Sequence, residues 1–61
     1  MKKKSFIVHD LETNEEILIS SAAFCFATTE NGVTLVDIGD TNFEVKETIK
    51  EVQSLYEETE G

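Results

Sequence analysis

The sequence predicts an α+β fold, a small antiparallel sheet of four or five strands with one C-terminal helix. Short stretches rich in strand-forming residues follow one another along most of the chain, and Asn31-Gly32 marks a tight hairpin between two of them. After Val45 the apolar residues change from strand spacing to helix spacing. We expect a single domain, 1–61, with a basic head at 1–4 and an acidic tail at 58–61 that fray.

The first hairpin is predicted from residues 5–11, which are rich in strand formers, and from the alternating residues 16–19. The polar residues 12–16 between them are typical of a turn. Ser20-Ser21 then indicates an irregular turn, because serine hydroxyls compete with a sheet for backbone hydrogen bonds.

Asn31-Gly32 predicts a second hairpin between residues 24–30 and 33–38, because both residues tolerate the positive φ of a two-residue loop. Side chains alternate between the two faces of a strand. One face is then predicted to carry Cys25, Ala27, Val36 and Ile38. The other is predicted to carry Phe24, Phe26, Thr28, Val33 and Leu35. Both faces of this hairpin would be substantially apolar.

The stretch LVDIGDTNFEVKET, residues 35–48, contains several side chains with oxygen atoms that could hold a metal ion or turn the chain. They are Asp37, Asp40, Asn42 and Glu44. A calcium-binding loop that began at Asp40 would need glycine where Val45 stands. The letters GDTN are instead typical of a turn, and FEVK resumes the alternation of a strand. We therefore expect a turn here, and neither a metal nor another cofactor.

The C-terminal helix is predicted from its start signal and from its apolar stripe. Thr48 and Glu51 have the spacing of a capping box, in which each side chain accepts a hydrogen bond from a free backbone N–H group of the other residue. The stripe consists of Val45, Ile49, Val52 and Tyr56, with Leu55 beside them. We expect this helix to pack on one face of the sheet.

Charge and chain length restrict the partners. Thirteen acidic residues against five lysines give a net charge of −8, which disfavours nucleic acid and anionic membranes. The apolar run 22–27 is far too short to span a bilayer. The single cysteine excludes an intramolecular disulfide, and a chain of this size buries only about 60% of its unfolded surface. We therefore expect a cytoplasmic homo-oligomer that binds a protein partner, without nucleic acid and without membrane insertion.

Catalysis is not expected. Cys25 and His9 are the one conceivable nucleophile and base, but Cys25 lies in the most apolar part of the chain, whereas a reactive thiolate needs a positive charge or a helix start beside it. We expect Cys25 to be a packed, inert thiol and His9 to be a half-exposed polar position. The protein is predicted not to be an enzyme.

The predicted interaction surface is the face of the second hairpin that carries Phe24, Phe26, Leu35 and Val33. If the helix covers the opposite face, these side chains are left exposed, and an exposed apolar patch normally marks an interface. The alternative is that the sheet curls into a small half-barrel and buries both phenylalanines.

Two segments resemble the small FlbD-type flagellar proteins of bacteria. EEILISSAAF is similar to that family's polar turn, short strand and small-residue stretch, and VTLVDIGDTNFEVKETIKEV is similar to its strand, turn, strand and capped acidic helix. The matching positions at the helix start are Val45, Lys46, Glu47, Thr48, Glu51 and Val52. The resemblance covers roughly residues 11–55, and it implies a non-enzymatic accessory protein of flagellar or swarming motility, with no catalytic residues.

Two main functions remain open at this point, beside a cation-binding module at residues 37–44. The first is an accessory protein that self-associates and binds a protein partner. The second is an acidic inhibitor of phage type, which would occupy a nucleic-acid-binding groove by presenting carboxylates in place of phosphates.

Overall fold

The computed structural model describes residues 3–59 and confirms the α+β fold class. The strands are β1 (Ser5–His9), β2 (Glu16–Ser20), β3 (Phe26–Glu30), β4 (Val33–Asp37) and β5 (Asn42–Val45), and the helix α1 spans Ile49–Glu57. All strand pairs are antiparallel. They form two small sheets, β1-β2 and β3-β4-β5, where the sequence predicted one.

The two sheets are joined at one corner. Asp10 forms an isolated antiparallel bridge with Val45. Beside it, the Leu11 N–H donates to the Glu44 carbonyl at 3.0 Å and the Lys46 N–H donates to the His9 carbonyl at 2.9 Å. The end of β1 is thereby held against β5. Within residues 3–59 no strand pairs with the outer side of β2 or of β3, so these two strands are fully free edges. The outer sides of β1 and β5 meet at the single bridge of Asp10 with Val45.

Both predicted turns of the second half are confirmed. Asn31 and Gly32 have φ values of 52° and 79°, the positive values that a two-residue hairpin loop needs. In the stretch after β4, the Ile38 N–H donates to the Thr41 carbonyl at 3.0 Å, and Gly39 adopts a φ of 109° between them. The oxygen-bearing side chains of this stretch therefore lie before, within and after a tight turn.

The start of β3 differs from the sequence prediction. The N–H of Cys25 donates to the Asp37 carbonyl at 2.9 Å, yet Asp37 is also the register partner of Phe26. Two residues opposite one constitute a β-bulge, which shifts the alternation of side chains by one position. The predicted placement of Phe24 on the same face as Phe26 is therefore wrong, because Phe24 packs against the core.

The core lies between the sheets and the helix, which packs mainly against β1 and β3. Its buried apolar residues are Phe6, Val8, Ile19, Val36, Val45 and Val52. The helix contributes Val52 fully and Leu55 and Tyr56 partly, whereas Ile49 remains 38% exposed. The predicted capping box of Thr48 and Glu51 is present, so the helix starts where the sequence indicates.

The two ends of the described chain lie side by side. Lys3 and Thr59 form an isolated parallel bridge, and Thr59 is buried. Of the predicted basic head and acidic tail, residues 1, 2, 60 and 61 lie outside the described residues. No helix among residues 3–59 is long and apolar enough to cross a membrane.

Candidate functional site

The structure separates the residues of the predicted interaction surface. Phe26 is 54% exposed, and Val33 and Leu35 are half-buried on the same side of the sheet. Phe24 is half-buried on the other side, against the core. The alternative prediction, that both phenylalanines are buried, therefore holds for Phe24 only, and Phe26 stays at the surface.

Phe24 belongs to an aromatic cluster. Its ring centroid lies 5.7 Å from that of Phe6, in an edge-to-face arrangement, and 4.8 Å from that of Tyr56. Such pairs add about 0.5–1.5 kcal/mol to the burial of the rings. The cluster fixes Tyr56 of the helix against the segment that leads into β3.

A groove of about 250 Å³ runs between the helix and β3. It is lined by Phe24, Phe26, Ala27, Ile49, Val52, Gln53 and Tyr56. Its one amide side chain, Gln53, donates to Glu57 Oε2 at 3.1 Å along the helix. The groove is thus apolar at its centre, and two exposed apolar side chains, Phe26 and Ile49, stand at its rim.

Phe26 also lines a second hollow, on the far side of β3. This hollow of about 200 Å³ is formed with Thr28, Glu30, Leu35, Asp37 and Asn42. Phe26 lies on the free edge strand and borders both hollows. A partner that covered β3 would therefore contact both hollows.

The sequence did not predict the contribution of Ile49, nor a second exposed apolar pair, Ile7 and Leu18. These two residues face each other across the first hairpin and are 42% and 68% exposed. The alternation of side chains along the two strands could have revealed them. Ile7 and Leu18 point to the face opposite the one that buries Phe6, Val8 and Ile19.

His9 is half-exposed, as expected, and it has a partner that the sequence did not reveal. His9 Nδ1 lies 2.6 Å from Glu47 Oε2, and the His9 N–H donates to Glu47 Oε1 at 2.9 Å. Burial raises the pKa of the Glu47 carboxyl. The hydrogen bonds from the His9 ring and backbone lower that pKa by more than burial raises it, so the pKa lies below its usual value. This pair links β1 to the segment before the helix.

Cys25 does not meet His9. The prediction of a packed thiol is wrong, because Cys25 is exposed and its Sγ donates only to the Ala23 carbonyl, at 3.7 Å. The bulge at the start of β3 explains this, since it turns Phe24 inward and leaves Cys25 outside.

The first oxygen-bearing side chain of this stretch, that of Asp37 at the end of β4, bonds to the backbone of the following turn. Asp37 Oδ1 accepts from the Gly39 N–H at 2.7 Å, which stabilises the turn. Among residues 3–59 no three His, Cys, Asp or Glu side chains are grouped so as to hold a metal ion.

These features define a small α+β protein with an apolar groove beside a free edge strand. In comparisons with known protein families, characterised proteins and solved structures, no significant match to the chain was found.

Proposed function

We propose that the protein is a small, non-enzymatic intracellular accessory protein that self-associates through the rim of the β3 groove and binds a protein partner with its remaining surface. The observation that carries this proposal is the exposure of Phe26, which is 54% accessible although it lies between two hollows. Fully burying a phenylalanine is worth roughly 1.5–3 kcal/mol. A second copy that covered this edge would recover much of that energy.

The groove contributes to the same surface. Ile49 and Phe26 project at its two sides, and its floor contains the aromatic cluster of Phe24 and Tyr56. Aromatic residues at the centre of an apolar surface are typical of the few residues that supply most of the binding energy of an interface. The resemblance to FlbD-type proteins makes a component of bacterial flagellar or swarming motility the first class of partner to test.

The acidic-inhibitor function is supported by a different observation. Among residues 3–59 the only close contact of a carboxylate with a basic side chain is that of Glu47 with His9. Within those residues no other carboxylate lies at ion-pair distance from a lysine. A basic groove of another protein would be attracted to these carboxylates. Binding of this kind weakens as salt rises, which distinguishes it from apolar self-association.

The test of self-association is the solution mass of the Phe26→Asp variant, measured by light scattering. We expect wild type to form a dimer or larger assembly and Phe26→Asp to be monomeric, because each interface would have to bury an unpaired carboxylate. The melting temperature should fall with the mass, since a monomer of 61 residues has little core.

Leu18→Asp is the matched control. Leu18 is more exposed than Phe26, at 68%, and lies on the other free edge, so the variant should keep the wild-type mass. A monomeric wild type would contradict the proposal. So would Phe26→Asp at the wild-type mass.

A further inference from the structure

We infer that β3 pairs with β3 of a second copy, antiparallel and two-fold symmetric about Thr28, so that two three-stranded sheets become one sheet of six strands. This inference rests on the proposed self-association and specifies its geometry. It commits the free edge of β3 to one occupant, the same strand of another molecule.

The register of the hairpin determines which backbone groups point outward. Glu30 and Val33 flank the two-residue loop and form a hydrogen-bonded pair, and such pairs alternate with non-bonded ones along an antiparallel ladder. Thr28 therefore bonds to β4, whereas Ala27 and Thr29 sit in non-bonded pairs. The N–H and C=O groups of Ala27 and Thr29 are directed away from β4, at the free edge.

A two-fold axis at Thr28 matches these groups. It places Ala27 of one copy opposite Thr29 of the other, twice, and each such pair can exchange two backbone hydrogen bonds. It places Phe26 opposite Glu30, so the two Glu30 carboxylates do not face each other. Like charges directly opposite would destabilise the pair. The arrangement is isologous, as a symmetric dimer requires.

The middle of the β3 edge, residues 27–29, has none of the features that normally protect an edge strand. Residues Phe26–Glu30 contain no proline and no lysine, and the bulge at Cys25 and Phe26 and the charge of Glu30 are confined to the two ends of the strand. Four of the five residues are uncharged, in a chain whose net charge of −8 opposes contact between copies elsewhere. The other free edge, β2, begins with Glu16 and continues from the acidic loop residues Glu12 and Glu15.

The pairing would also cover the groove. Ala27 lies in the groove wall, and its opposite residue in the dimer is Thr29 of the second copy. The Thr29 side chain of that copy then lies on the Ala27 face, at the open side of the groove. One contact thereby covers the groove wall and satisfies the free backbone edge, while Phe26 lies on the other face, beside Thr28 and Glu30 of the second copy.

The first test is Thr29→Pro, with the mass measured by light scattering. The Thr29 N–H has no partner among residues 3–59, so proline removes a donor that only the dimer uses. We expect a monomer with the wild-type circular dichroism spectrum. Leu18→Pro is the control, because by the same alternation the Leu18 N–H points outward from β2. It should remain dimeric.

The outcomes separate this inference from the function on which it rests. A dimeric Thr29→Pro with a monomeric Leu18→Pro would overturn the pairing of β3 but keep self-association. A monomeric wild type would overturn both.

A cross-linking experiment tests the register even if Thr29→Pro fails to fold. In the Cys25→Ser background, Thr28→Cys would bring two cysteines together at the axis, with Cα atoms about 4.5 Å apart, a distance that a disulfide spans. We expect mild oxidation to give a covalent dimer. Thr29→Cys, one residue from the axis and facing Ala27, should cross-link at least tenfold more slowly. Equal rates for the two variants would overturn the register.

Discussion

At the scale of single residues, the His9–Glu47 pair is the clearest long-range polar contact. The two residues are 38 positions apart, and Glu47 accepts both the backbone N–H and a ring contact of His9. The Glu47 side chain is only 14% exposed, so its carboxylate depends on these partners. Because the pKa of Glu47 is lowered by folding, the ionised form is the one that stabilises the native state.

We predict that Glu47→Gln lowers the free energy of unfolding by about 1 kcal/mol at neutral pH, with a loss that shrinks on acidification. A depressed carboxyl pKa contributes stability above the unfolded-state value, about 4.3 for glutamate, and that stability is lost as pH falls through the folded-state value. Urea unfolding of both proteins between pH 7 and pH 3 measures the difference. Glu15→Gln, at an exposed loop position, should differ little from wild type throughout. A difference for Glu47→Gln that did not change with pH would contradict the linkage.

Residue-level prediction from sequence succeeded where a residue's role is set by its neighbours in the chain. Asn31 and Gly32 form the loop that their tolerance of positive φ predicts, and Thr48 caps the helix. It failed for Phe24 and Cys25, because a single bulge exchanges the faces of the residues before it, and no local pattern announces that bulge. The contact of His9 with Glu47 depends on how distant segments meet, which local spacing does not specify.

At the scale of elements, the helix is the part whose boundaries are encoded most locally. Thr48 Oγ1 accepts from the Glu51 N–H at 3.2 Å, and Glu51 Oε1 accepts from the Thr48 N–H at 2.8 Å. The strands were also predictable as elements, but their division into two sheets was not. The two sheets stay separate because the end of β1 is joined to β5 by one isolated bridge, between Asp10 and Val45.

We predict that Thr48→Ala lowers the free energy of unfolding by about 1 kcal/mol, because it removes the side-chain half of the cap, and that it leaves the solution mass unchanged. Denaturant unfolding at fixed protein concentration measures the first effect, and light scattering the second. Ser54→Ala, on an exposed turn of the same helix, should be neutral or slightly stabilising, since alanine has the higher helix propensity. An equal loss in both variants would show that the cap is not the cause.

At the scale of the whole molecule, charge and apolar surface act in opposite directions. Each copy carries a net charge of −8, so two copies repel each other while the β3 edge draws them together. The acidic-inhibitor function uses the same charge as its attraction. The response to salt therefore has opposite signs for the two functions.

We predict that self-association strengthens as sodium chloride rises from about 0.1 M to about 1 M, because the Debye length falls from ~10 Å to ~3 Å and the repulsion between copies is screened. Sedimentation equilibrium gives the dissociation constant at each concentration. The Phe26→Asp variant controls for a general effect of salt on solubility, and it should stay monomeric throughout. A wild-type dimer that dissociated as salt rose would mean that its contacts are electrostatic. That result would contradict an interface built on the apolar ring of Phe26.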